Sequence, residues 1–279
     1  MIHKNFTLTN SDSELIRLEA HYLEYVKDAP IVVICHGFKG FKDWGFFPVL
    51  ADTLASDGYF VITFNFSRNG IGSDLQNFTE LELFSKNTYT HELKDLACIF
   101  EALMSKKIGK GMADPEKIGL LGHSRGGGIA LLYAQRDPRV NTLVTWSAIS
   151  SVHRYTPDQI KEWKKNGYLE IENKRTGQLM RVTTDLLDDI EKNKKDLDIL
   201  SAASMLEIPT LIIHGQEDES VPVEEAQSIY DHLLTPSKEL MIIEDGTHTF
   251  GAGHPLESRP EALEVAFDLT ENWFDRYLL

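Results

Sequence analysis

Ser124, Asp218 and His248 are the residues whose types and settings could together make a nucleophile. Ser124 stands in Gly122-His123-Ser124-Arg125-Gly126. A short apolar run, Ile118 to Leu121, precedes it, and Ile129, Leu131, Leu132 and Ala134 continue at helical spacing toward Asp137 and Pro138, where the proline stops the helix. A serine on such a strand-to-helix turn needs glycine two positions before and after it, because a β-carbon there would collide as strand and helix close together. The turn also sets the hydroxyl at a helix N-terminus, where free N–H groups favour a developing negative charge. A plain glycine-rich turn is the competing account, and the flanking strand and helix weigh against it.

An acid and a base follow in the order serine, acid, histidine. Thr210 to Gly215 reads as a buried strand after Pro209, with Asp218 in the short loop before Val221 and Pro222 open the next helix. Glu217 and Glu219 are its rivals, each more simply a solvated loop carboxylate. Lys238 to Ile243 is the next strand, and His248 lies on the polar, glycine-punctuated loop after it. His254, six residues on, is the alternative among the chain's ten histidines.

Serine is a poor nucleophile at neutral pH, whereas imidazole, titrating near ~6.5, is an available base. His248 would take the Ser124 proton, Asp218 would hold the ring and stabilise the imidazolium, and an acyl-enzyme would form and be released by water. The tetrahedral oxyanion needs two donors. The backbone N–H of Arg125 is one. The strand Ile31 to Cys35 runs into His36-Gly37-Phe38-Lys39-Gly40 and offers the N–H of Phe38 as the other.

These loops need strands to carry them. Phe6 to Thr9 and Leu15 to Tyr22 read as opening antiparallel strands around the turn at Asn10, Ser11 and Asp12. Phe46 to Ser56 is helix-like, Tyr59 to Phe64 a strand, Tyr89 to Met104 an amphipathic helix, Leu143 to Trp146 a strand, and Leu263, Phe267, Phe274 and Tyr277 one face of a terminal helix. Alternation of this kind predicts βαβ units and a parallel sheet. Residues 151–200 break the rhythm. They read as a helix from Pro157 to Asn166 ended by Gly167, a hairpin from Tyr168 to Val182 turning at Arg175, Thr176 and Gly177, and a charged helix from Thr184 to Lys195.

The motifs around His36, Ser124 and Asp218, with His214-Gly215 before the acid and Val221-Pro222 after it, resemble those of α/β-hydrolase serine hydrolases, and within them the bacterial cinnamoyl and feruloyl esterases. Dienelactone-hydrolase-like and prolyl-oligopeptidase-like domains are related. The resemblance covers roughly residues 15–150 and 200–279. It implies an α/β fold with a mostly parallel eight-stranded sheet flanked by helices. Residues 1–150 and 201–279 would form the core, and 151–200 a cap inserted after strand 6, overhanging the elbow. Serine at the elbow speaks against dienelactone hydrolases proper, which carry cysteine, and against dehalogenases and epoxide hydrolases, which carry aspartate. In the cap, Tyr155, Trp163, Tyr168, Leu169 and Met180 are candidates for an apolar lining, with packing of the cap onto the body the competing and more common role for each; Phe250 near His248 joins the lining candidates.

The expected activity is hydrolysis of a small-molecule carboxylic ester, aromatic (hydroxycinnamoyl) or of short to medium acyl chain, with neither metal nor organic cofactor. A serine peptidase or aminopeptidase on the same scaffold is one alternative, and a non-catalytic ligand-binding protein of the same fold is another. With 279 residues, 42% hydrophobic and 25% charged, one large core is expected. A net charge of −15 argues against nucleic acid and anionic membrane as partners, although Lys39, Lys42, Arg68 and Arg125 fall on loops near the expected site. Neither a membrane-spanning run nor a secretory leader is evident, and Cys35 and Cys98 read as unpaired, so the cytoplasm is the expected compartment. The oligomeric state stays open, a homodimer included.

Overall fold

Runs of β-branched and aromatic residues too apolar to face water on either side form the middle of the sheet. In the computed structural model, which describes residues 1–74, 77–174 and 176–279, β3 (Ala29–Cys35), β4 (Phe60–Asn65) and β9 (Thr210–Gly215) are buried along their whole length. Parallel strands covered on both faces behave in this way. Together with β1 (Ile2–Thr9), β2 (Leu15–Tyr22), β5 (Ala113–His123), β6 (Val140–Trp146) and β10 (Lys238–Ile243) they make an eight-stranded sheet in the order β1-β2-β4-β3-β5-β6-β9-β10. β2 runs antiparallel to both β1 and β4, and the other neighbours are parallel.

Two cores lie on the two faces of this sheet, and β3 feeds both: Ile31, Val33 and Cys35 point to one, Val32 and Ile34 to the other. α1 (Phe47–Ser56) and α9 (Glu261–Leu278) cover the second. α3 (Tyr89–Met104), α4 (Arg125–Arg136) and α8 (Val223–His232) cover the first, next to the short α2 (Leu81–Ser85), which the sequence reading did not anticipate. β5 starts earlier than its apolar run suggests, because Ala113 pairs with Ala29 across an irregularity in register.

Residues 151–200 lie largely outside the main sheet. α5 (Pro157–Asn166) begins with a capping box between Thr156 and Gln159 and ends at Gly167, whose φ of 80° is left-handed. β7 (Tyr168–Asn173) and β8 (Gln178–Thr183) form a separate hairpin. Of its expected turn, Arg175 lies outside the described residues, while the Gly177 N–H donates to the Asn173 carbonyl at 2.8 Å. α6 (Asp185–Lys192) is shorter than expected, and α7 (Ile199–Ser204) was not foreseen; it packs on α4, where a β-carbon on Gly128 would come 2.8 Å from Ile199 Cδ1. Gln178 Nε2 donates to the Phe78 carbonyl and Thr183 Oγ1 to that of Ser85, so the hairpin is tied to the α2 region. Among the described residues, no helix is long and apolar enough to cross a membrane.

Candidate active site

Ser124 sits at the end of β5 with φ 58° and ψ −122°, a conformation an L-residue adopts at a cost of about 1–3 kcal/mol. The surrounding chain imposes it. Ser124 N–H donates to the Trp146 carbonyl at 2.8 Å, and its own carbonyl accepts from the N–H groups of Gly127, Gly128 and Ile149. Gly122 has the role expected of it: a β-carbon there would lie 2.2 Å from the Gly126 carbonyl oxygen. At Gly126 the crowding comes from another element, since its β-carbon would meet the His36 oxygen at 2.4 Å and the Cys35 oxygen at 2.6 Å, at the end of β3.

His248 Nε2 lies 3.0 Å from Ser124 Oγ, and its Nδ1 lies 2.8 Å from Asp218 Oδ2. Two loops must meet for this, and glycine lets them. A β-carbon on Gly215 would fall 2.1 Å from the Gly246 oxygen. The Glu217 N–H donates to that same oxygen at 2.9 Å. Asp218 is buried while Glu217 and Glu219 are exposed. Its Oδ1 accepts from the N–H groups of Ser220 and Val221, and its Oδ2 also has His214 Nε2 at 3.3 Å. Burial alone would push this carboxyl up; the bonds from His214 and His248 outweigh it and hold the group well below the usual carboxylate range. His254 is elsewhere, its Nδ1 accepting from Gly45 N–H at 2.9 Å.

Two histidines without an assigned role in the sequence reading position these groups. His214 is fully buried and directs Nε2 at the Val221 carbonyl (2.8 Å) as well as at Asp218. His123 Nε2 donates to the His248 carbonyl at 2.9 Å, fixing the loop from below. Burial, then the neighbouring His248, pulls the His123 pKa down to about 3, so the ring is neutral and keeps its donor. Adjacency to Ser124 and to the strand end was the available signal for His123, and the offset of four residues from Asp218 for His214.

The loop after β3 lies directly against the serine. A β-carbon on Gly37 would come 2.9 Å from Ser124 Cβ. The turn closes through Gly40 N–H to the Gly37 carbonyl at 3.0 Å, with Lys39 at φ 58°. His36, buried, donates from Nδ1 to the Gly37 carbonyl and accepts the Phe66 N–H at Nε2. Burial lowers its pKa to about 4. Arg125 N–H, at the first position of α4, has no partner within its own helix. Phe38 and Arg125 both line the space beside Ser124.

Two cavities meet at Ser124 and His248. One, of roughly 250 Å³, includes Trp44, Phe47, Asn173 and Lys174; the other, of roughly 310 Å³, includes Tyr89, Arg125, Ile149, Arg154 and Tyr155; Phe38 and Lys39 belong to both. Tyr155 therefore reaches the site. The other proposed lining residues do not. Trp163 is fully buried and stands edge-on behind Tyr155, with ring centroids 4.9 Å apart. Phe250, also fully buried, packs on Trp146 and anchors the His248 loop in the core beneath α9. Tyr168 faces a separate groove with Leu81, Leu179 and Arg181, which lacks Ser124 and His248. Met180 is buried, and Leu169 packs against the core.

The model of the family described as "alpha/beta hydrolase fold" matches residues 30–169, half of the chain. The "Uncharacterized 31.7 kDa protein in traX-finO intergenic region" of Escherichia coli is 25% identical over 251 residues, covering 78% of this chain and 83% of that protein. The "Uncharacterized peptidase YuxL" of Bacillus subtilis is 25% identical over 230 residues, covering 81% of this chain and 31% of that protein. Among solved structures, Est1E from Butyrivibrio proteoclasticus with ferulic acid bound superposes with a TM-score of 0.75 at 17% identity, over 98% of each chain. With the matched sheet, elbow and loops in place, the chain belongs to the α/β-hydrolase family.

Proposed function

We propose that this protein is a serine carboxylic-ester hydrolase. The observation that carries the reading is the unbroken chain from Ser124 Oγ through His248 to the buried Asp218, 3.0 and 2.8 Å in length, standing on a serine held at positive φ. In this mechanism His248 Nε2 removes the hydroxyl proton as Ser124 Oγ bonds to the ester carbonyl carbon. Asp218 keeps the proton of His248 Nδ1 on the side away from the serine and stabilises the imidazolium. The N–H groups of Phe38 and Arg125 receive the oxyanion. The imidazolium then protonates the departing alcohol, and a water molecule, deprotonated by His248, releases the acid from Ser124.

Residues 151–200 act as a cap in this reading, contributing Arg154, Tyr155, Asn173 and Lys174 to the cavity walls. Cys35 and Cys98 are unpaired, which suits a reducing compartment. A fluorophosphonate tests the mechanism: intact-mass and peptide analysis should place one adduct on Ser124, with Ser124→Ala unlabelled and its kcat on a nitrophenyl ester lower by about 10⁴–10⁶-fold. An adduct elsewhere, or none, would refute it. Aminoacyl anilides assayed beside the esters test the peptidase alternative raised by the Bacillus subtilis relative.

A further inference from the structure

Charge around Ser124 runs against the composition of the chain. There are 43 acidic residues against 28 lysines and arginines, yet the two cavities at the serine are lined by Lys39, Lys174, Arg125 and Arg154 and by neither aspartate nor glutamate among the described residues. The other cations flagged on nearby loops are neutralised elsewhere, Lys42 by Glu19 and Asp43, and Arg68 by Glu14. Arg125 and Arg154 are ion-paired as well, with Glu92 and Glu225, but neither carboxylate belongs to the cavity walls, so the lining itself is cationic.

Each has donors to spare or a setting that favours an anion. Arg125 is 5% exposed; Nε donates to Glu92 Oε2 at 2.9 Å and the guanidinium lies 3.9 Å over the Tyr89 ring, while Nη2 is buried and has no hydrogen-bond partner among the described residues. A buried guanidinium nitrogen in that state lacks an acceptor. Arg154 is held by Glu225, which is not a wall residue, and by the carbonyl of Ser220, which is, so it is oriented without a carboxylate in the cavity. Lys39 directs its ammonium at the Glu172 carbonyl, 3.2 Å away. Burial, reinforced by the Lys174 charge, holds that ammonium below the ordinary lysine range, a condition that an incoming carboxylate relieves.

We propose that the ester hydrolysed here carries a second, free carboxylate, received between Tyr89 and Tyr155 by Arg125, Arg154 and Lys39. The substrate class is thus a monoanionic ester: a half-ester of a dicarboxylic acid, or an ester of a carboxylate-bearing alcohol. This rests on the hydrolase reading and narrows it. The aromatic and apolar walls take the carbon chain, and the cations supply charge-assisted hydrogen bonds in a partly desolvated space.

Matched esters test the proposal. Mono-4-nitrophenyl adipate is compared with its methyl ester, and a second pair places the carboxylate or its methyl ester on the leaving phenol. The anion of one pair should be favoured in kcat/KM by about 10–100-fold, the range of one charge-assisted bond. Arg154→Met and Lys39→Met should shrink that ratio, and Arg154→Lys should shrink it less. A ratio at or below unity in both pairs, or one unmoved by both methionine variants, overturns the proposal. If fluorophosphonate still labels Ser124 in that case, the hydrolase reading survives it. Without such labelling the hydrolase reading fails instead, and calorimetry of adipate binding to Ser124→Ala, with and without Arg154→Met, decides the anion site.

Discussion

At the scale of single residues, the serine, acid and histidine could be read from the chain because each sits beside a signal of backbone shape: glycines around Ser124, the Val221 and Pro222 helix start after Asp218, a glycine-rich loop around His248. Choosing among Glu217, Asp218 and Glu219 depended on loop depth, and burial separates them in the structure. What residue type could not convey was direction. Trp163 and Phe250 are aromatic and close in sequence to the right elements, but they point into the core. His214 is the complementary case, a strand residue whose side chain turns out to grip Asp218. Its removal tests that grip. His214→Leu should lower kcat/KM by about tenfold, the worth of one hydrogen bond to a charged group. Because the lost bond helps hold the Asp218 carboxyl down, the carboxylate becomes more basic, the imidazolium of His248 is better stabilised, and the acid limb of the pH profile should move to higher pH. His214→Gln, which keeps a donor, should move it less. An unmoved limb with a lower Tm would assign His214 to packing alone.

Among elements, the long strands and helices were legible from periodicity, and Tyr89–Met104 and Pro157–Asn166 have the bounds their patterns predict. Short α2 and α7 span five and six residues, too few for a 3.6-residue period to register. The early start of β5 depends on a partner strand, which no local pattern contains. The contact of Gly215 with Gly246 was equally invisible, since two glycines distant in sequence show nothing of their mutual approach. It holds the acid and base loops together. Gly215→Ala would force those loops apart, and because a displacement of about 1 Å costs on the order of 100-fold, kcat/KM should fall by at least that much. Circular dichroism distinguishes a folded, inactive variant from an unfolded one; wild-type activity would mean that this contact does not place His248.

For the molecule as a whole, the neutral buried histidines link the site to stability. His36 and His123 have pKa values near 4 and 3, below the 6.5 of an ordinary imidazole. Between those limits the unfolded chain binds protons that the folded chain refuses. Their contribution is complete above about pH 6.5 and is lost as pH falls, at up to about 1.4 kcal/mol per pH unit for each ring. Asp95, raised to about 6 by burial, acts with the opposite sign between about 4 and 6, so the comparison must be with a variant. Urea unfolding from pH 7 to 4.5 should show His123→Gln losing less stability on acidification than the wild type; equal slopes would mean that this ring does not resist protonation. The segment 151–200 has a different bearing. It supplies wall residues to both cavities and none of the three hydrogen-bonded groups at their junction. If the proposed ester hydrolysis holds, sequence drift confined to that one stretch can retune both halves of the substrate at once while leaving the serine, histidine and aspartate as they are, a route by which relatives of this protein would diversify in diet without relearning their chemistry.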